Sequence, residues 1–180
     1  MKKLLIAVIL IAGAGPIFAA SIVGTSHDLT THGIITETEI CKPCHVPHNK
    51  APLGDTPLWN HTTSGETFTV YNQGGGSVTL GKGTDTSAGP GNESMVCLSC
   101  HDGVTGIDNY GGTAGPGTVV AMTAGVSVGT DLSDDHPIGL ALDDSLADYK
   151  LPTPTTGAKL FGGVGGKTVE CASCHDVHDN

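Results

Sequence analysis

Apolar residues fall along this chain in short bursts rather than in long periodic runs. The longest burst, Leu4 to Ala14, follows Lys2 and Lys3 and is closed by Pro16-Ile17-Phe18-Ala19. It is too short to span a bilayer and ends on a small residue, so 1–19 reads as a signal peptide. Further on, Thr67-Phe68-Thr69-Val70-Tyr71 has the look of a short strand, with Gly74-Gly75-Gly76 as the turn after it. Thr118-Val119-Val120-Ala121-Met122 predicts another strand. Leu140, Leu142, Leu146 and Tyr149 lean to one side of a short helix over 138–149. Pro43, Pro47, Pro52 and Pro57 break any long helix in the region they occupy. Three unequal segments result, 20–66, 67–116 and 117–180, with no linker between them, so 20–180 reads as a single domain.

Composition changes that picture. Without the leader, 161 residues remain, carrying six lysines, no arginine and eighteen acidic residues, a formal charge of −12. Leu, Ile, Val and Phe make up 32 of these residues, and the same stretch holds 25 glycines, three tyrosines and one tryptophan. High charge with so few large apolar side chains is close to the composition of disordered chains. A conventional side-chain core is hard to build from this material at this size. The balance disfavours an ordinary α/β enzyme, a span in the mature chain and a nucleic-acid binder. Something other than side chains has to supply the core.

The cysteines say what. All six lie in three identical units, Cys41-Lys42-Pro43-Cys44-His45, Cys97-Leu98-Ser99-Cys100-His101 and Cys171-Ala172-Ser173-Cys174-His175. C-x-x-C-H is the c-type haem attachment spacing. Two intervening residues put both sulfurs on one side of a short helical turn, where they meet the two vinyl groups of one porphyrin. The next residue then carries its imidazole under the iron. Zinc knuckles do not explain a histidine after every pair. A thioredoxin-like motif does not come in triplicate, and three C-x-x-C loops make poor structural cross-links. Three covalently bound c-type haems are therefore expected, one per 54 or so residues. Each brings a flat apolar surface worth about 10 kcal/mol of gross hydrophobic stabilisation. The predicted fold is mostly coil with short helices and a few short strands, built around a haem core.

The proximal iron ligands are then His45, His101 and His175. Six histidines remain for three sixth positions: His27, His32, His48, His61, His136 and His178. Met95 is awkwardly close to Cys97, and Met122 is a weak alternative, so bis-histidine ligation is expected. Such ligation lowers potentials relative to His/Met and leaves no open iron position. His48 and His178 each stand three residues after a proximal histidine. They cannot swing round to the far face of their own haem, but they can reach the iron of a second haem packed against it. His136, before Pro137, is held extended. His27 lies on the N-terminal arm. His61 is a weaker distal candidate, and His32 weaker still.

Ser26-His27-Asp28, Cys44-His45-Val46-Pro47-His48, Pro57-Leu58-Trp59-Asn60-His61, Cys100-His101-Asp102-Gly103, Asp135-His136-Pro137 and Cys174-His175-Asp176-Val177-His178 together cover nearly the whole mature chain. This constellation resembles the small multihaem cytochromes of the doubled C-x-x-C-H type. It is also similar to the subunits of extracellular cytochrome filaments, the microbial nanowires. The resemblance implies coil-rich subunits, stacked bis-His haems and, in filaments, a distal histidine donated by the neighbouring subunit. His27 on a mobile arm either makes such a head-to-tail contact or folds back onto a haem of its own chain.

Electron transfer is the function these features point to. The setting is extracellular or on the cell surface, otherwise periplasmic, either in a homopolymer or in a soluble shuttle. A multihaem reductase is the competing class. It requires an open iron and cationic groups to hold an anion, and this chain has no arginine and a repelling charge. No enzyme activity is expected. The acidic stretches 131–135 and 143–144 read as solvated surface, with calcium as the alternative. The negative field suits basic redox partner proteins or soluble cationic acceptors.

Overall fold

The computed structural model describes residues 21–33, 35–48, 53, 56–71, 83–84, 89–112, 126–135, 137–142, 159–162 and 168–178. The expected leader, the turn at 74–76, the strand at 118–122 and His136 lie outside the described residues.

Regular structure is sparse. In chain order it comprises a 3-10 turn at Leu29–Thr31, β1 (Thr69–Val70), β2 (Gly83–Thr84), α1 (Asn92–His101), β3 (Asp131–Leu132), β4 (Leu140–Leu142), β5 (Thr168–Val169) and a 3-10 turn at Cys171–Ser173. β1 pairs with β3 in parallel, Val70 opposite Leu132. β4 lies between β2 and β5, antiparallel to both. The mostly coil expectation therefore holds at this level. No described helix is long and apolar enough to cross a membrane.

The strand expected over 67–71 forms at Thr69–Val70, with Phe68 and Val70 buried and Thr69 exposed between them. That is the period of two that a half-buried strand requires. The helix expected over 138–149 does not begin as one. Leu140–Leu142 is strand, with Leu140 opposite Val169. The reason lies just upstream. Gly139 has φ +69 and donates its N–H to the Val169 carbonyl at 2.8 Å. A Cβ there would come within 2.5 Å of the Gly89 carbonyl oxygen. The backbone is committed to sheet pairing before a helical turn can start.

Phe68, Val70, Leu98, Leu132 and Ile138 form one small apolar cluster, with Met95 and Cys171 packed against it. Its centre is α1. This helix starts from an extended Gly91 and has Glu93 in its first turn, favourable to the helix dipole. Gly103 (φ +73) follows the C-cap residue Asp102 in the left-handed conformation that ends many helices. The buried residues of α1 include Glu93, Ser94 and Ser99 beside Leu98. Polar burial of this kind has to be satisfied by hydrogen bonds. Ser94 Oγ donates to Glu170 and accepts the Cys171 N–H at 3.0 Å. Ser99 Oγ donates to the Val96 carbonyl at 2.7 Å. Glu170 also accepts the Gly91 N–H at 3.1 Å, so one buried carboxyl ties the start of α1 to the third cysteine motif. Burial pushes the Glu170 carboxyl above the ordinary glutamate range, while the bonds from Ser94 and Gly91 pull it partly back.

Candidate haem attachment sites

Each C-x-x-C-H unit closes a helical turn on itself. In the first, the Cys44 and His45 N–H groups reach the Cys41 carbonyl at 3.3 and 2.8 Å. In the third, Cys174 and His175 make the same bonds to Cys171 at 3.2 and 3.0 Å. The second lies wholly inside α1. Short helical turns at the attachment sites were the sequence expectation, and the ten-residue helix at the second exceeds it. No disulfide joins any of the six cysteines. Burial, then the neighbouring Cys41, pushes the Cys44 thiol up to about 11. Burial likewise pushes Cys100 up to about 12, with Cys44 among the nearby charges. Cys97 is raised by its hydrogen bond to Cys171 and by burial. Thus α1 stands between the other two motifs, with Cys100 near the first and Cys97 near the third.

His45 and His101 are oriented by backbone carbonyls. His45 Nδ1 donates to the Pro57 carbonyl at 2.9 Å, and His101 Nδ1 donates to the Val126 carbonyl at 2.6 Å. A carbonyl only accepts, so the proton is on Nδ1 and Nε2 keeps the lone pair that binds a metal. The Pro57 contact belongs to a strap over the first motif. Val46 N–H donates to the Leu58 carbonyl at 3.0 Å, Asn60 N–H to the Cys44 carbonyl at 2.8 Å and Asn60 Nδ2 to the Lys42 carbonyl at 2.6 Å. Leu58, beside the carbonyl that holds His45, has φ +52, a left-handed conformation that costs a branched residue about 1–2 kcal/mol. Gly103 is pinned against the segment that holds His101, because a Cβ on it would meet Ser127 Oγ at 2.7 Å.

The Cys-His-Asp shared by the second and third motifs has a structural meaning. Asp102 Oδ1 accepts the Val104 and Thr105 N–H groups at 2.9 and 2.8 Å. Asp176 Oδ1 accepts the His178 N–H at 2.9 Å and lies 3.3 Å from His178 Nδ1. Burial alone would raise Asp102, but hydrogen bonds from Ser64, Thr105 and Val104 outweigh it and hold its carboxyl below the usual range.

The distal candidates divide. The His27 ring centroid lies 6.1 Å from that of His101, and the His178 centroid lies 6.3 Å from that of His45. His27 is half-buried; burial lowers its pKa first, and the charges of His101 and His178 lower it further. Its arm is knitted together: Asp28 is buried and accepts the Gly24 N–H at 2.9 Å and the Thr30 hydroxyl at 2.5 Å. His61 is buried with Nδ1 2.9 Å from the Thr62 carbonyl, and its Nε2 lies 3.1 Å from the Ile107 carbonyl and 3.5 Å from Cys100 Sγ. His48 and His32 are exposed. His136 is outside the described residues.

The residues fit a haem on a further count. Trp59 Nε1 is a buried donor without an acceptor among the described residues, and its ring meets His45 edge-on at 6.1 Å. A haem propionate is an acceptor of the required chemistry. Among the described residues no group of three or more His, Cys, Asp or Glu is disposed to hold a metal ion. A haem iron asks only two ligands of the protein. Sequence reasoning missed the Pro57 and Val126 carbonyls, which carry no side-chain signal. It also missed the role of Asp176, which the repeated Cys-His-Asp could have suggested.

No protein-family model matches the chain, and no curated protein matches it.

Proposed function

We propose that this chain is an exported trihaem c-type cytochrome that transfers electrons and performs no substrate chemistry. The observation that carries the reading is the pairing of the C-x-x-C-H turn with an anchored imidazole. In the first and second units, the histidine after the second cysteine is held through Nδ1 by a backbone carbonyl, and its Nε2 remains for iron. The haem, when bound, supplies the one-electron Fe(III)/Fe(II) couple. The chain's own part is to hold the sulfurs in position, present the axial imidazoles and set the dielectric around them. Cys41 and Cys44, Cys97 and Cys100, and Cys171 and Cys174 are the attachment pairs, with His45, His101 and His175 as proximal ligands. Redox partner proteins with basic surfaces, or extracellular cationic acceptors, suit the charge of −12 on the mature chain.

The test is expression with a c-type maturation system. Intact mass is expected to give three covalently attached haems, and the ferric spectrum is expected to be low-spin throughout. Fewer than three haems would overturn the trihaem reading. A native high-spin ferric haem that binds and turns over nitrite or hydroxylamine would replace it with the reductase.

A further inference from the structure

We infer that His178 is the distal ligand of the first iron, opposite His45, and that His27 is the distal ligand of the second, opposite His101, both within one chain. This rests on the reading of the chain as a c-type cytochrome. The first support is separation. Metal–imidazole bonds of about 2 Å on opposite sides of one metal, plus half of each ring, put the two centroids about 6 Å apart. The His45–His178 and His27–His101 centroids are 6.3 and 6.1 Å apart. Rings in direct contact also have centroids about 4.5–7 Å apart, so the separation accommodates an iron between the rings and leaves orientation to decide.

Separation alone does not decide, since Trp59 lies 6.1 and 6.4 Å from His45 and His61. An indole does not ligate iron in that way, and His61 has both ring nitrogens against carbonyls. Orientation is the second support. Asp176 Oδ1 accepts the His178 backbone N–H and lies 3.3 Å from its Nδ1, which places a carboxylate beside that nitrogen and leaves Nε2 on the other side of the ring. His45 and His101 are fixed by hydrogen bonds from Nδ1 to the Pro57 and Val126 carbonyls. For His27, the second support is its seat: the buried Asp28 locks the turn that presents it to His101.

Two consequences follow. His178 is three residues from His175, so a ligand of the first iron belongs to the third attachment site. The two haems most distant in sequence are then neighbours in space. Moreover, His27 is used at home. A polymer with a shared axial histidine would have to draw on a histidine other than His27 and His178.

Four variants of the haem-loaded protein test this. His178→Ala and His27→Ala leave all cysteines in place, so intact mass should still count three haems. Each should convert one ferric haem in three from low to high spin, and the double variant two in three. His178→Ala added to Cys41→Ser/Cys44→Ser, which lacks the first haem, should create no new high-spin centre. Spectra that stay fully low-spin in either single variant would overturn the pairing. So would a double variant with only one high-spin haem, or a new high-spin centre in the protein lacking the first haem. If an alanine or serine variant is not recovered, His178→Met and His27→Met replace it, each expected to raise the potential of one haem. The axial pairs in a crystal structure of the loaded wild-type protein decide the same question directly. Wild-type protein with no attached haem would instead defeat the cytochrome reading itself.

Discussion

At the second attachment site, Cys97 and Cys100 ride on a ten-residue helix whose Leu98, Ser94 and Ser99 are almost fully buried. At the first, Cys41 and Lys42 are exposed, and the turn is covered by a strap from Pro57 to Asn60. Both close the same local turn and both hand their histidine's Nδ1 to a carbonyl. The difference lies in what stands behind the turn: an apolar cluster for the second, a few backbone and amide hydrogen bonds for the first. C-x-x-C-H therefore demands little of its surroundings. It asks for one helical turn and one acceptor, and a chain poor in apolar residues can meet that demand in two unlike ways.

The largest expected effect abolishes the comparison. On the proposed reading, the chain without haem lacks at both sites an apolar partner worth about 10 kcal/mol of gross burial each. Apoprotein is expected to be unfolded or molten. Calorimetry would check this, and a cooperative transition in the apo chain would show that the α1 cluster suffices alone. The next effect separates the two sites. Leu98→Ala, at a side chain 2% exposed, is expected to cost about 2–5 kcal/mol in denaturant unfolding of the loaded protein. Asn60→Ala removes the 2.6 Å bond to the Lys42 carbonyl from the strap and is expected to cost about 1–3 kcal/mol. If Asn60→Ala costs more than Leu98→Ala, the strap is the stronger support.

The smallest effect concerns the joint between α1 and the third site. Burial raises the Glu170 carboxyl in the folded state. Its contribution to stability is therefore full below the ordinary glutamate value and is lost as pH rises through the higher folded value. Glu170→Gln keeps an acceptor for Gly91 and Ser94 but does not titrate. The variant is expected to lose part of the decline in stability that the wild type shows over that window. Denaturant midpoints measured across pH 4 to 7, a range of about three units spanning the glutamate value, would check it. An unchanged slope would place the pH dependence elsewhere.

Much of the candidate site was legible because attachment chemistry is local. Cysteine spacing and the following histidine fix a turn of five residues whatever the rest of the chain does, and all three turns form. The alternation at Phe68, Thr69 and Val70 was legible for the same reason. The start of the helix expected over 138–149 was misread because Leu140 and Leu142 suit either period; 143–149 lie outside the described residues. The Gly139 approach to Gly89, which commits that backbone to a strand, is a contact between segments fifty residues apart.

What the sequence alone determined is thus the inventory: three C-x-x-C-H units, six further histidines and too little apolar side chain for a core of its own. Tertiary structure decided the assignments. It chose Pro57 and Val126 as the acceptors for His45 and His101, set α1 between the other two motifs, and brought His178 to His45 and His27 to His101. Covalent spacing is written in neighbouring residues, whereas which imidazole faces which depends on chain crossings of seventy residues and more. Those crossings leave no periodic trace in the sequence.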